Sequence, residues 1–153
     1  NFADVVRLPE PQRKKLELHQ LIHSAAILME VKAKEKQIEF QFAFAENGFF
    51  IFADEQQIEQ VLINIIKNAI EAIEEKGTIS FITDINARQL TIVDTGKGIE
   101  DKVAEQLFSP FFSTKKNGQG IGLTIVREIL LNHSFEFFLK SFSAKRTEFV
   151  IKF

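Results

Sequence analysis

Two asparagines four residues apart, Asn64 and Asn68, have types and a spacing that could do chemistry. They lie in the segment NIIKNAIEA, and on a helix they would stack along one border of its apolar face. A carbonyl oxygen held at that border suits Mg²⁺, a hard cation that takes few protein ligands when phosphates supply the rest. Two solvated asparagines are the alternative for this segment taken alone.

A carboxylate followed by a glycine turn comes next, in the segment DTGKGI. Asp94 ends a predicted strand and could accept a hydrogen bond from the exocyclic amine of adenine. Gly96 and Gly98 would let the base lie against bare backbone, because glycine has no Cβ and tolerates positive φ. An ordinary turn, with Asp and Gly present for conformational reasons, is the alternative.

The segment GQGIGL predicts a glycine-rich helix start that could hold phosphate. After Gly118, Gly120 and Gly122, amide hydrogens and the positive end of the helix dipole would face an anion. An ordinary helix N-terminus with no ligand is the alternative for this segment. No Gly-Lys-Ser/Thr follows and no strand directly precedes, so the segment is not a P-loop. Lys115, in the polar stretch before it, could reach the terminal phosphate as part of a mobile lid, although a solvated charge is the alternative.

Composition places these segments in one compact domain of 153 residues with a net charge of −2, which favours neither nucleic acid nor anionic lipid as a partner. The chain has no cysteine, which excludes disulfides and thiolate metal sites and is typical of the cytoplasm. No apolar run approaches the ~20 residues needed to span a bilayer. The 17 phenylalanines, with no Tyr or Trp, alternate along predicted strands and indicate packing.

The first half of the chain predicts two helices separated by a hairpin. Apolar spacing gives a helix from Leu18 to about Lys34. Alternating residues on both sides of Asn47-Gly48 predict a hairpin ending at Ala53. Asp54 is placed to cap a second helix, which would run to about Lys76 and stop at Gly77.

The second half predicts two strand pairs and two helices. In chain order these are strands over Thr78 to Ile85 and Leu90 to Asp94, a short helix over Asp101 to Leu107, a helix from about Gly120 to Asn132, and strands over Phe135 to Phe142 and Thr147 to Phe153. His19 and His23 are spaced like a metal pair, but nothing nearby completes the set, so we expect structural or surface histidines. We expect His133 to be a capping or packing residue.

In order and spacing, these segments resemble the N box, first glycine box and second glycine box of the GHKL ATPase superfamily, with LFSPFFSTKK resembling the F box. Within the superfamily the sequence resembles sensor histidine kinases, over about Leu18 to Phe153. Its segments NAIEA and FSPFFSTK are similar to those of the nitrogen-regulation subgroup of these kinases. It implies an α+β fold, a two-layer α/β sandwich called the Bergerat fold. A mixed, mostly antiparallel sheet would be covered on one face by about three helices.

The resemblance also implies ATP and Mg²⁺ as the ligands of this site. It assigns catalytic roles to Asn64 and Lys115, and the Mg²⁺ ligand to Asn68. The residues that it assigns to ATP are Asn68, Asp94, Gly96, Gly98, Ile99, Lys115, Gly118, Gly120, Ile121, Gly122, Leu123 and Thr147. Ser134, Phe135 and Arg146 depart from the glycines common in the family at those positions.

Asn64 bears on the type of reaction. Gyrase, mismatch-repair and heat-shock chaperone members of the superfamily place a Glu there as the general base that activates water, and an amide cannot take up that proton. The resemblance therefore implies phosphoryl transfer to a histidine on a separate dimerisation domain, to which residues 1–17 would be the linker. A response regulator would be an indirect partner, and we expect no nucleic acid and no direct membrane contact.

Two alternatives stay open at this point. One is a docking module that binds nucleotide without catalysis, and the other is a hydrolytic GHKL ATPase. None of the three histidines is followed by the acidic residue and Thr-Pro pattern expected around a phosphoacceptor, so we expect no self-phosphorylation by this chain.

Overall fold

The computed structural model describes residues 8–96, 121–143 and 145–153, and these contain three helices. The helices are α1 (Leu18–Glu35), α2 (Glu55–Ala72) and α3 (Ile121–Asn132). Two of them begin at carboxylate caps, because the first amides of a helix lack partners within it. Glu17 accepts hydrogen bonds from the amides of His19 and Gln20, and Asp54 accepts one from Gln57, as its position in the sequence predicts.

A five-stranded mixed sheet forms the second layer. Its strands are β2 (Ile38–Ala43), β4 (Gly77–Asp84), β5 (Gln89–Asp94), β6 (Glu136–Ser143) and β7 (Arg146–Lys152). Their order across the sheet is β2-β4-β5-β7-β6. Strand β2 runs parallel to β4, and the other neighbours are antiparallel. The predicted strand pairs β4-β5 and β6-β7 are confirmed.

The hairpin predicted around Asn47-Gly48 is wrong. Strand β2 pairs with β4, whereas β3 (Phe50–Ala53) pairs with β1 (Lys14–Glu17) in a separate two-stranded sheet. Asn47 and Gly48 do adopt positive φ, so the turn is real, but it leads from one sheet into the other. Residues 14–17, at the end of the predicted linker, are therefore a strand that places Leu16 in the core.

Helix α2 ends at Ala72 rather than near Lys76, and Gly77 begins β4 instead of capping the helix. The chain is already extended at Ile73. Glycine is required at residue 77 because the side chains of Thr95 and Ile73 pack closely against its backbone. A Cβ there would lie 2.7 Å from Thr95 Oγ1 and 2.9 Å from Ile73 Cγ2. The short helix predicted over residues 101–107 and the predicted lid lie outside the described residues.

The helices cover one face of the sheet, and the core lies between the two layers. Alternate side chains of the central strands pack there against the apolar face of α2, and both sets are fully buried: Ile79, Phe81, Leu90 and Ile92 from the strands, and Ile58, Leu62 and Ile66 from the helix. Each of them stabilises the fold by roughly 1.5–3 kcal/mol through apolar burial. This arrangement confirms the predicted α+β sandwich. Within the described part of the chain, no helix combines the length and apolarity needed to cross a bilayer.

Candidate functional site

A cavity lies between α2, the start of α3 and the inner face of the sheet. Four residues predicted as site residues line it: Asn68, Asp94, Leu123 and Thr147. The remaining lining side chains are apolar and form its walls: Ile65, Ala69, Ala72, Ile92, Leu139 and Phe149. The tertiary structure thus brings together residues from four elements that are far apart along the chain.

Asp94 supplies the buried carboxylate of this cavity. It is the last residue of β5, and Thr147 of β7 lies directly opposite it in the sheet. Only 8% of Asp94 and 5% of Thr147 is exposed, so both polar groups are held inside the apolar walls. Burial raises the pKa of Asp94 to about 6, although the amide of Gly96, which donates to Oδ1 at 2.9 Å, opposes the shift.

Gly96 packs against the end of α2 too closely for any side chain. A Cβ at this position would lie 2.9 Å from the Cβ of Ala72, from the carbonyl oxygen of Ala72 and from Oδ1 of Asp94. The turn after Asp94 therefore needs glycine for contact as well as for conformation.

The chemistry of this cavity fits the adenine end of a nucleotide. Its walls are aliphatic and aromatic, which suits a flat base. Its polar groups are few, and the Asp94 carboxylate is an acceptor that matches an exocyclic amine. Gly96 is absent from the described lining of the cavity; its backbone packs against Ala72, and its amide holds the Asp94 carboxylate.

The two asparagines of the N box have different surroundings. Asn68 lines the cavity, whereas Asn64 Nδ2 donates to the carbonyl oxygen of Gly122 at 3.4 Å. Asn64 therefore joins α2 to the first turn of α3, next to the predicted phosphate loop. At Gly122 itself, an added Cβ would meet no described atom within 4 Å, so open space surrounds this glycine in the described part of the chain.

Several predicted site residues cannot be placed relative to this cavity. Gly98, Ile99, Lys115, Gly118 and Gly120 lie outside the described residues. Ile121 begins α3, but its side chain is outside the description too.

The sequence prediction missed the apolar walls, although a signal for them exists. Ile92 is two residues before Asp94 and Phe149 two after Thr147, so each shares a sheet face with a predicted site residue. Ile65, Ala69 and Ala72 likewise share a helix face with Asn68. Their apolar character made them look like ordinary core.

The prediction of structural histidines is confirmed for His19 and His133. The ring of His19 stacks on Phe44 at 4.1 Å, and its Nε2 is 2.9 Å from Thr83 Oγ1. His133 caps helix ends, since Nδ1 donates to the carbonyl oxygen of Ile129 at 2.8 Å and Nε2 accepts from the amide of Asp54 at 3.1 Å. Among the described residues, no group of His, Asp and Glu is arranged to hold a metal ion.

Comparison with protein families matches residues 53–153 to the histidine kinase-, DNA gyrase B- and HSP90-like ATPases. Sporulation kinase A of Bacillus subtilis is 32% identical over 99% of this chain, and sensor histidine kinase ZraS of Salmonella typhimurium is 32% identical over 97%. The chain spans only 26% and 33% of the length of these two relatives.

Solved structures agree with this match. The catalytic domain of histidine kinase ThkA has a TM-score of 0.83 and 31% identity, with 92% of this chain and 93% of that one covered. Full-length ShkA in complex with AMPPNP has a TM-score of 0.82 and 25% identity, over 98% of this chain and 33% of that one. The chain therefore belongs to the histidine kinase-, DNA gyrase B- and HSP90-like ATPase family, and within it to the catalytic domains of sensor histidine kinases.

Proposed function

We propose that this chain binds ATP and transfers its γ-phosphoryl group to a histidine on a separate dimerisation domain of the parent protein. One observation carries the proposal: a buried carboxylate, Asp94, faces Thr147 in an apolar cavity that Asn68 also lines. The base would lie on the apolar walls with its amine toward Asp94, which directs the phosphates toward Asn68 and the start of α3.

The residues of the chain hold and orient the nucleotide in this proposal. Asn68 would ligate Mg²⁺ through its amide oxygen, and the ion when bound would neutralise charge on the phosphate oxygens. The amides after Gly118, Gly120 and Gly122 and the ammonium group of Lys115 would hold the phosphates as negative charge develops. The contacts proposed for Gly98, Ile99, Ile121 and Leu123 are those that the family resemblance implies.

Asn64 favours transfer over hydrolysis. Its amide has no basic site for a proton from water, and in this fold it donates to the Gly122 carbonyl. Phosphoryl transfer depends mainly on positioning and electrostatic stabilisation, so a site without a base for water can still serve another nucleophile.

The partners follow from the same proposal. The acceptor would be a histidine on a helical dimerisation domain preceding residues 1–17, and a response regulator would receive the phosphoryl group afterwards. A structure of ThkA in complex with response regulator protein TrrA has a TM-score of 0.79 to this chain at 29% identity, which supports that assignment. We propose the cytoplasm as the site of action, because ATP is abundant there.

A phosphotransfer assay tests the proposal. The chain is mixed with the histidine-bearing helical domain of its parent protein and with ATP labelled at the γ-phosphate. We expect label on the histidine with the wild type, and a large loss with Asp94→Ala. An unlabelled histidine, in a mixture where the chain binds ATP, would favour a docking module, and rapid release of labelled phosphate would favour a hydrolytic ATPase.

A further inference from the structure

We propose that Lys36 is a positioning residue for the adenine end of the nucleotide site, an inference that rests on the proposed function. Lys36 follows α1 and precedes β2, and its side chain crosses to the carboxyl end of α2. Its Nζ donates hydrogen bonds to the carbonyl oxygens of Ile70 at 2.9 Å and Ile73 at 3.0 Å. A lysine from outside the helix thus holds the end of the helix that carries Asn64 and Asn68.

This end of α2 needs an external cation. The last carbonyl groups of a helix lack partners within it, and the helix dipole places partial negative charge there. The last turn of α2 contains no basic residue, and Glu71, Glu74 and Glu75 add negative charge around it. The Lys36 ammonium group therefore adds a second donor to the Ile70 carbonyl, which also accepts from the amide of Ile73 at 3.2 Å, binds the carbonyl of the capping residue Ile73, and offsets the local charge.

The helix end that Lys36 holds is in contact with the turn after Asp94. Ala72 lies between the two residues whose carbonyls Lys36 binds, and it lines the cavity. Atoms of Ala72 and of Asp94 lie 2.9 Å from where a Cβ of Gly96 would stand. Because no space remains between these groups, the position of the helix end sets the position of the Asp94 turn.

The backbone of Lys36 makes a second connection to the same turn. Its carbonyl oxygen accepts from the amide of Lys76 at 2.8 Å, just before Gly77. The missing Cβ of Gly77 leaves room for Thr95 Oγ1, which accepts from the amide of Thr78 at 3.0 Å. Lys36 is therefore tied to the Asp94 turn from the helix side and from the strand side.

Lys36 is absent from the described residues that line the cavity, so it acts through Ala72 and Gly96. Its loss should displace the base site and leave the phosphate end unchanged. We expect Lys36→Met, which keeps an apolar stem and removes the ammonium group, to weaken ADP and ATP binding by the same factor of about ten, since hydrogen bonds to charged groups have that order of effect. The KM for ATP should rise with kcat unchanged.

Lys34→Met is the matched control. Lys34 is exposed and forms an i,i+4 ion pair with Glu30, so its replacement should leave ADP affinity within about twofold, as the small energies of surface pairs imply. Lys36→Arg, which keeps the charge and several donors, should recover at least part of the affinity. If Lys36→Met does not fold, Lys36→Gln replaces it, with a smaller but measurable loss expected.

Isothermal titration with ADP and with ATP, on protein that circular dichroism finds folded, distinguishes the outcomes. A wild-type chain that binds neither nucleotide would overturn the proposed function itself. Wild-type binding together with unchanged affinity in the folded Lys36 variant, even at a lower unfolding temperature, would overturn only the role of Lys36. A loss seen with ATP but absent with ADP would overturn it too, because it would place the effect at the phosphates.

Discussion

Asp94 and Thr147 lie directly opposite each other on the antiparallel strands β5 and β7, with both side chains buried at the cavity. Side chains opposed in this way have Cβ atoms about 4.5–5.5 Å apart, so one edge of a bound base could contact both. A shift of the pairing by one residue would turn one of the two side chains to the outer face of the sheet. The register of β5 and β7 is therefore a condition for the site.

Asp94→Asn should stabilise the nucleotide-free chain at neutral pH. The folded pKa of Asp94, about 6, exceeds the usual value of 3.8, so the stability linked to its proton is complete below pH 3.8 and is lost as pH rises through 6. Removing the buried charge should raise the free energy of unfolding by roughly 1–2 kcal/mol at pH 7.5. This gain is smaller than the full pKa shift implies, because the buried amide of Asn is also polar.

Urea unfolding at pH 7.5 and at pH 4.5 measures this effect, and the gain should be much smaller at the lower pH. ADP affinity should fall by about tenfold in the same variant, because a neutral acceptor replaces a charged one. Equal stabilisation at both pH values would show that the charge of Asp94 is not the cause.

Gly96→Ala should destabilise the fold, in contrast to Gly122→Ala. The new Cβ at residue 96 would lie 2.9 Å from the backbone oxygen of Ala72, so the helix end or the turn must move. We expect a loss of about 1–3 kcal/mol in the free energy of unfolding, as for overpacking in general. At residue 122, inside α3, alanine should be neutral or stabilise by up to about 1 kcal/mol. Thermal unfolding of both variants checks the contrast, and similar losses would contradict it.

His133 should make stability fall in mild acid. Both of its hydrogen bonds require a neutral ring with the proton on Nδ1, because Nε2 accepts from the Asp54 amide. Burial is the main cause that lowers the pKa of His133, and the charge of Arg13 acts in the same direction. As pH falls, the unfolded chain therefore takes up this proton at a higher pH than the folded chain does. The free energy of unfolding decreases as pH falls below about 6.5.

Unfolding in urea at several pH values between 5 and 8 tests this dependence. His133→Gln should be less stable than the wild type at neutral pH, and this difference should shrink as pH falls toward 5. The difference between the two chains is the measure, because His19, whose pKa burial lowers, and Asp94, whose proton stabilises the fold in acid, shape the pH profile of both. His23→Gln, at an exposed position, is the control, and an unchanged pH profile in His133→Gln would contradict the assignment.

Asn68→Ala should remove most of the effect of Mg²⁺ on nucleotide affinity. If its amide oxygen ligates the ion, the wild type should bind ATP more tightly with Mg²⁺ than without it. In the variant, this increase in affinity should be roughly tenfold smaller. Asn64→Ala, which removes the contact with the Gly122 carbonyl, should retain the Mg²⁺ dependence. Titration of both variants with ATP, in the presence and absence of Mg²⁺, tests this assignment. If the affinity of Asn68→Ala for ATP still depends on Mg²⁺ as in the wild type, the ion is bound elsewhere.

The helices and the residue types of the site could be predicted because their causes are local. Helix α1 follows from apolar spacing, and the start of α2 follows from a carboxylate one residue before it. The glycines and Asp94 stand in short segments whose order alone indicates a nucleotide site. In each case the physical reason acts within a few residues, so the sequence carries it.

Strand pairing and contacts between elements were decided only by the tertiary structure. The Asn47-Gly48 turn was predicted correctly, but β2 then pairs with β4 across the whole of α2, and no local feature of the turn selects that partner. The same holds for Lys36, whose hydrogen bonds join residues 34 and 37 positions apart. Sequence therefore determined which groups could bind a nucleotide, while long-range packing determined which of them meet.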